Sequence, residues 1–143
     1  MGYMRVSHQR FGTGVAIAVL SVLSAGCADN PTAPTASLNE AFVLGVGDVV
    51  RIEDQQFSIR FDGVAGDSRC PADALCILGG DATVNVTVTP SRGSRAHLEL
   101  HTASPRSVQY RSFTLTLEQL APYPFSSQPI DPSTYEVTIR VTR

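Results

Sequence analysis

Lysine and tryptophan are absent from this 143-residue chain, and cysteine occurs only three times. Every one of the eleven basic residues is therefore an arginine, placed singly along the chain against thirteen acids, for a formal charge of -2. A nucleic-acid surface needs clustered cations to displace counterions from phosphates, so this pattern argues against such a partner. Catalytic signatures are missing too: there is no G-x-S-x-G, no H-E-x-x-H and no phosphate-binding glycine loop. An enzyme is not expected, and no cofactor is implied. An apolar content of 43% is nonetheless enough to bury one core, so a disordered body is not expected either.

No apolar run is long enough for a permanent span. Met1 to Arg10 carries Arg5, His8 and Arg10 without an acid, and Phe11 to Leu23 is then apolar or small. That is the basic and hydrophobic layout of a signal peptide. As a helix its thirteen apolar positions cover only about 20 Å of a ~30 Å hydrocarbon core. The run ends in Leu23-Ser24-Ala25-Gly26-Cys27, which resembles the bacterial lipobox, with Ser24 where an aliphatic residue is commonest. The resemblance implies cleavage after residue 26 and acylation of Cys27. The alternative is an ordinary signal peptide cut after Ala25 or Gly26, with Cys27 left as a spare thiol. Cysteine arithmetic favours acylation, because Cys70 and Cys76 are close enough to pair and Cys27 then needs its own role. Several acyl chains on one sulfur hold a protein to a membrane durably. Resemblance to sorted lipoproteins adds that Ala28, rather than an aspartate, follows the cysteine, which implies the outer membrane if the host is Gram-negative. Loss of Arg5 and Arg10 with the leader would leave nine positive against thirteen negative charges on the mature chain.

Residues 27–39 continue as a Pro-, Thr- and Ala-rich stretch without periodicity, expected to be a flexible tether. From residue 40 to 143 the pattern is that of short strands. Phe57, Ile59 and Phe61 alternate with Ser58, Arg60 and Asp62; Val84, Val86 and Val88 alternate with Thr83, Asn85, Thr87 and Thr89; Tyr135, Val137, Ile139 and Val141 repeat the scheme. Less regular runs are Ala41 to Ile52, broken at Gly45 and Gly47-Asp48, Ala96 to Ala103, and Val108 to Leu117. Apolar parity switches in the last of these, which predicts a bulge or tight turn at Arg111-Ser112. Six or seven strands without a helix imply an all-β domain, an antiparallel β-sandwich or small barrel. Four prolines between Leu120 and Ser133 suggest a stiff connection before the last strand, read as a Greek-key crossover.

The segment from Asp67 to Ala82 is the most distinctive. In an oxidising compartment Cys70 and Cys76 should form a disulfide, whose short loop contributes only about 2 kcal/mol and mainly fixes shape. Their spacing fits neither the usual zinc sites nor a C-x-x-C redox pair. The run Asp67-Ser68-Arg69-Cys70-Pro71, a second cysteine, then glycine and alanine at Gly80 and Ala82, resembles a group of small envelope lipoproteins. The likeness continues through Leu98-Glu99-Leu100-His101-Thr102, Leu120-Ala121-Pro122-Tyr123-Pro124 and the last strand. Leu78 stands where that group usually has tryptophan. The resemblance implies an envelope β-domain and no particular activity.

Arg69, Pro71, Asp73, Leu75, Ile77 and Leu78 are the candidate binding-loop residues, although the three aliphatics fit packing beneath the loop equally well. The Pro-rich connection around Tyr123 is a second candidate contact. Two metal readings are weaker: calcium on Asp67, Asp73 and Asp81, or zinc or copper on His97, Glu99 and His101. Two histidines four residues apart on a strand stand about 13 Å apart, too far for one ion. That face is expected to be solvated, with Leu98 and Leu100 on the core side. The sequon Asn85-Val86-Thr87 falls inside an expected strand of a bacterial-type chain and is discounted. The sequence thus reads as a lipid-anchored envelope protein, a non-enzymatic binding or accessory module of unknown ligand; a calcium- or zinc-binding envelope module or enzyme and a protease-inhibitor-like module presenting the disulfide loop are the alternatives.

Overall fold

In the computed structural model, residues 33–143 are described. The expected leader and the acylation site at Cys27 lie outside them. The domain is all-β, with nine strands in two sheets. β1 (Thr35–Ala36), β3 (Val49–Ile52), β4 (Phe57–Asp67), β5 (Ala82–Pro90) and β6 (Ala96–His101) form a five-stranded sheet in that order. β2 (Ala41–Gly45), β9 (Glu136–Thr142), β8 (Phe113–Ala121) and β7 (Ser107–Tyr110) form a four-stranded sheet in that order. Two distinct sheets decide for the sandwich over the barrel.

Strict alternation builds the core. Phe57, Ile59 and Phe61 of β4 and Val84, Val86 and Val88 of β5 are buried in one sheet, and Val137, Ile139 and Val141 of β9 with Leu115 and Leu117 of β8 are buried in the other, all in one core cluster. Each such side chain stabilises the fold by roughly 1.5–3 kcal/mol when removed from water. On the other faces polar residues meet solvent, with one exception. Thr87, expected outward, is only 3% exposed, since its hydroxyl is enclosed between Asp62 Oδ2 at 2.5 Å and His97 Nδ1 at 2.9 Å.

The strand count exceeds the expected six or seven for identifiable reasons. The run Ala41 to Ile52 breaks at Gly47, where φ is +89°, and sends β2 and β3 to different sheets. The run Val108 to Leu117 breaks at the expected tight turn: Tyr110 pairs with Phe113 and Arg111 is left-handed at φ 55°. The additional strand is β1, inside the segment expected to be tether. It pairs in parallel with β3, Thr35 opposite Arg51, while Ala36 and Leu38 pack against the core. Folded structure therefore begins before residue 40, and one strand pair is not antiparallel.

The Pro-rich connection is not a crossover. It joins β8 to β9, which are direct antiparallel neighbours, through a 3₁₀ turn at Pro132–Thr134. Prolines cannot donate to a sheet ladder, so the segment loops out from the edge of the sandwich instead. It thereby meets the cysteine loop, which leaves the end of β4. The register of β4 against β5 shifts between Phe61 and Gly63 and again between Val64 and Gly66. Such bulges bend a strand and re-aim its end, here the end that carries the loop.

Candidate functional site

The cysteine loop stands on an ion pair that the chain makes with itself. Asp67, the last residue of β4, receives the Arg69 backbone N–H at 3.1 Å, Arg69 Nε at 2.9 Å and Nη2 at 2.6 Å, and the Tyr135 hydroxyl at 2.9 Å. The same guanidinium donates to the carbonyls of Leu120 and Pro122, both at 2.8 Å, and lies 5.2 Å from the centre of the Tyr123 ring. Burial would raise the Asp67 pKa, but the Arg69 and Tyr135 hydrogen bonds outweigh it and hold the carboxyl below its ordinary value. Burial combined with the neighbouring carboxylate pushes Tyr135 up. Arg69 is 8% exposed, so it is a brace under the loop and not one of its displayed contact residues.

Above this brace the loop closes like a short ladder. Ser68 N donates to Asp81 O at 2.7 Å, and Cys70 N donates to Gly79 O at 2.9 Å. Gly80 has φ +67°, and a Cβ there would sit 1.7 Å from the Ser68 carbonyl oxygen, so no other residue fits without displacing the loop base. Cys70 and Cys76 are joined by the expected disulfide, with 5.9 Å between their Cα atoms.

Each loop carboxylate already has protein partners. Asp81 accepts from the Ala103 N–H at 2.9 Å and the Thr102 hydroxyl at 3.0 Å, and lies 2.6 Å from His101 Nδ1. Burial works against it, but these donors, led by the Ala103 N–H, lower its pKa to about 2. Asp73 accepts from Ser126 N at 2.8 Å and Ser126 Oγ at 2.6 Å, and Ala72 N donates to Pro124 O at 2.9 Å. The disulfide loop and the Pro-rich connection are therefore stitched into one surface.

The metal readings find no assembled site. Among the described residues no three His, Cys, Asp or Glu side chains come together. His97 points toward Thr87 and His101 toward Asp81, while Glu99 stays on the exposed face. Leu100 is fully buried on the core side and Leu98 partly so, as expected for an alternating strand.

Exposure singles out the loop tip. Leu75 and Ile77 are fully exposed and Leu78 is 82% exposed, which overturns the reading that they pack beneath the loop. Tyr123 and Phe125 on the stitched connection are half exposed, beside a groove of about 310 Å³ that includes Gln128 and Ile130. Pro71 is half-buried at the loop's entry. Asp67 to Cys70, Asp81, His101-Thr102, the Pro122-Tyr123 connection and Tyr135 converge here. Residues missed in the sequence are Tyr135 as an acceptor's partner and Ser126 as the clasp on Asp73; neither carries a local signal, because each acts more than fifty positions away. No protein-family model, curated protein or solved structure matches the chain.

Proposed function

We propose that this chain is a lipid-anchored cell-envelope protein, held to a membrane through acylated Cys27, whose β-sandwich is a non-enzymatic binding or accessory module. The contact surface is the tip of the disulfide loop together with the adjoining Pro-rich connection. One observation carries this reading: three aliphatic side chains stand in water on a loop that an ion pair, a disulfide and two backbone bonds hold in place. Apolar side chains are costly to expose, and a braced loop that does so is built for contact. Support for the anchor comes from the leader-like run ending at Cys27, with Cys70 and Cys76 already paired to each other.

Mass spectrometry of the cell-made protein tests the address: the expected product begins at Cys27 and carries diacylglycerol on its sulfur. A retained leader or an unmodified sulfur overturns it. Replacement of Leu75, Ile77 and Leu78 by serine tests the surface, and it is expected to abolish recovery of envelope material with the purified protein while leaving its melting temperature nearly unchanged. Undiminished recovery sinks the contact role.

A further inference from the structure

We infer that the surface contacted by the loop tip is a bilayer of zwitterionic lipid, into whose interface Leu75, Ile77 and Leu78 insert. The inference deepens the anchored-module reading and rests on it for bringing the tip close to a membrane.

Three observations lead there. The first is shape and chemistry. Three exposed aliphatic side chains within four residues turn apolar surface outward, which matches the boundary between headgroups and acyl chains. Tyr123 and Phe125, aromatic and half exposed, sit on the connection tied to the loop, and such rings favour the same boundary.

The second is charge. From Ala74 to Gly80 no residue ionises, since the sulfur of Cys76 is bonded to that of Cys70. Around the tip, Asp73 and Asp81 are acidic and held ionised by their hydrogen bonds, and Arg106 beside Gly79 and Gly80 is a single cation. Anionic headgroups are drawn by clustered cations, which this rim lacks, so the surface it suits is neutral.

The third is the direction and length of the chain leading back to Cys27. β1 is parallel to β3, and β3 is antiparallel to β4, so the chain enters β1 from the end of the sheet where the loop lies. Thr35 is level with Ser58 through Arg51. From there to the loop base, Thr89 to Ala82 on β5, is seven residues, about 23 Å at ~3.3 Å each. Thr35 is eight positions after Cys27, a length of chain that reaches at most about 28 Å. That limit exceeds the distance from the level of Thr35 to the loop base, so the tether is long enough for acylated Cys27 and the loop tip to meet one membrane.

The chain has no tryptophan, so Leu78→Trp supplies a single reporter at a position already exposed. The cell-processed protein is inserted into phosphatidylcholine vesicles through its acylated Cys27. If mass spectrometry finds that sulfur unmodified, the same thiol is coupled to a maleimide lipid, so that failure of the anchor does not hide the behaviour of the tip. With acyl-brominated lipid the expected result is a blue-shifted, strongly quenched emission at Leu78→Trp and unquenched emission at Val43→Trp, an exposed position on β2. Adding Leu75→Ser and Ile77→Ser is expected to lower the membrane-inserted fraction at least tenfold, since two aliphatic side chains leave the interface. Emission from Leu78→Trp that stays unquenched overturns the inference. So does a blue shift that rises with protein density and ignores the brominated lipid, which would mean a second copy covers the tip, and so does quenching confined to anionic vesicles.

Discussion

Asp67 and Arg69 lie two residues apart and form a two-point ion pair, 2.9 and 2.6 Å, whose guanidinium also binds the carbonyls of Leu120 and Pro122 across the sandwich edge. One buried cation thus ties the disulfide loop to the connection between β8 and β9. Removing one member of a buried pair strands the other without compensation, at a cost of about 3–5 kcal/mol. Arg69→Met is expected to lower the unfolding free energy by about 3 kcal/mol, read from urea denaturation. Arg69→Lys should recover little, because an ammonium cannot serve the carboxylate and two carbonyls in that planar geometry. A variant as stable as the parent would show that the brace is dispensable.

The two adjacent glycines after Cys76 separate conformation from composition. Gly80 is left-handed and faces the Ser68 carbonyl, whereas a Cβ on Gly79 would meet nothing within 4 Å. Gly80→Ala is expected to cost about 2 kcal/mol or more through strain and collision. Gly79→Ala should change stability by less than about 0.5 kcal/mol. Thermal melts of the two variants measure the contrast, and equal melting temperatures would refute the tight approach.

Much of the sandwich was legible because one-sided burial writes itself as alternation. In β5, β9 and the first half of β4, Phe57 to Phe61, every second residue is apolar, and these segments lie where the pattern places them. Thr35–Ala36 was not legible: two residues have no period, and their strand exists only because β3 offers an edge. That β2 and β3 join different sheets is likewise a matter of pairing, which periodicity does not encode. At the site, general expectations about polarity failed in both directions. Arg69 is buried because its partners come from Asp67 and from carbonyls more than fifty positions away. Leu75, Ile77 and Leu78 are exposed because a loop pinned at its base has no core beneath it to fill.

Acid should weaken this end of the molecule in a defined window. The folded state holds Asp81 ionised down to about 2, while an unfolded aspartate takes up its proton near pH ~3.9. Below that higher value the unfolded chain binds the proton first. The stabilisation is therefore complete above about pH 4, falls as the pH drops toward 2, and is gone once the folded state also protonates. Asp67, lowered in the same direction, adds to the loss. Denaturation midpoints taken from about pH 5 to pH 2 should fall less steeply for Asp81→Asn than for the parent. Parallel profiles would remove Asp81 from this role.

Two tyrosines with similar burial should respond oppositely to loss of their hydroxyls. Tyr135 is 6% exposed and donates to Asp67; Tyr110 is 7% exposed, and its hydroxyl has no hydrogen-bond partner among the described residues. The Tyr110 ring itself is well used, edge-on to Phe57 at 5.5 Å, and phenylalanine keeps that contact. A buried hydroxyl without a partner costs about 1–3 kcal/mol of desolvation, whereas one bonded to a charged group contributes about 1.5–3 kcal/mol. Tyr110→Phe is therefore expected to raise stability by about 1 kcal/mol, and Tyr135→Phe to lower it by at least as much. Paired urea titrations read both signs. If Tyr110→Phe is destabilising, its hydroxyl has a partner, and the same titration repeated on Tyr110→Leu would show whether the ring or the oxygen is responsible.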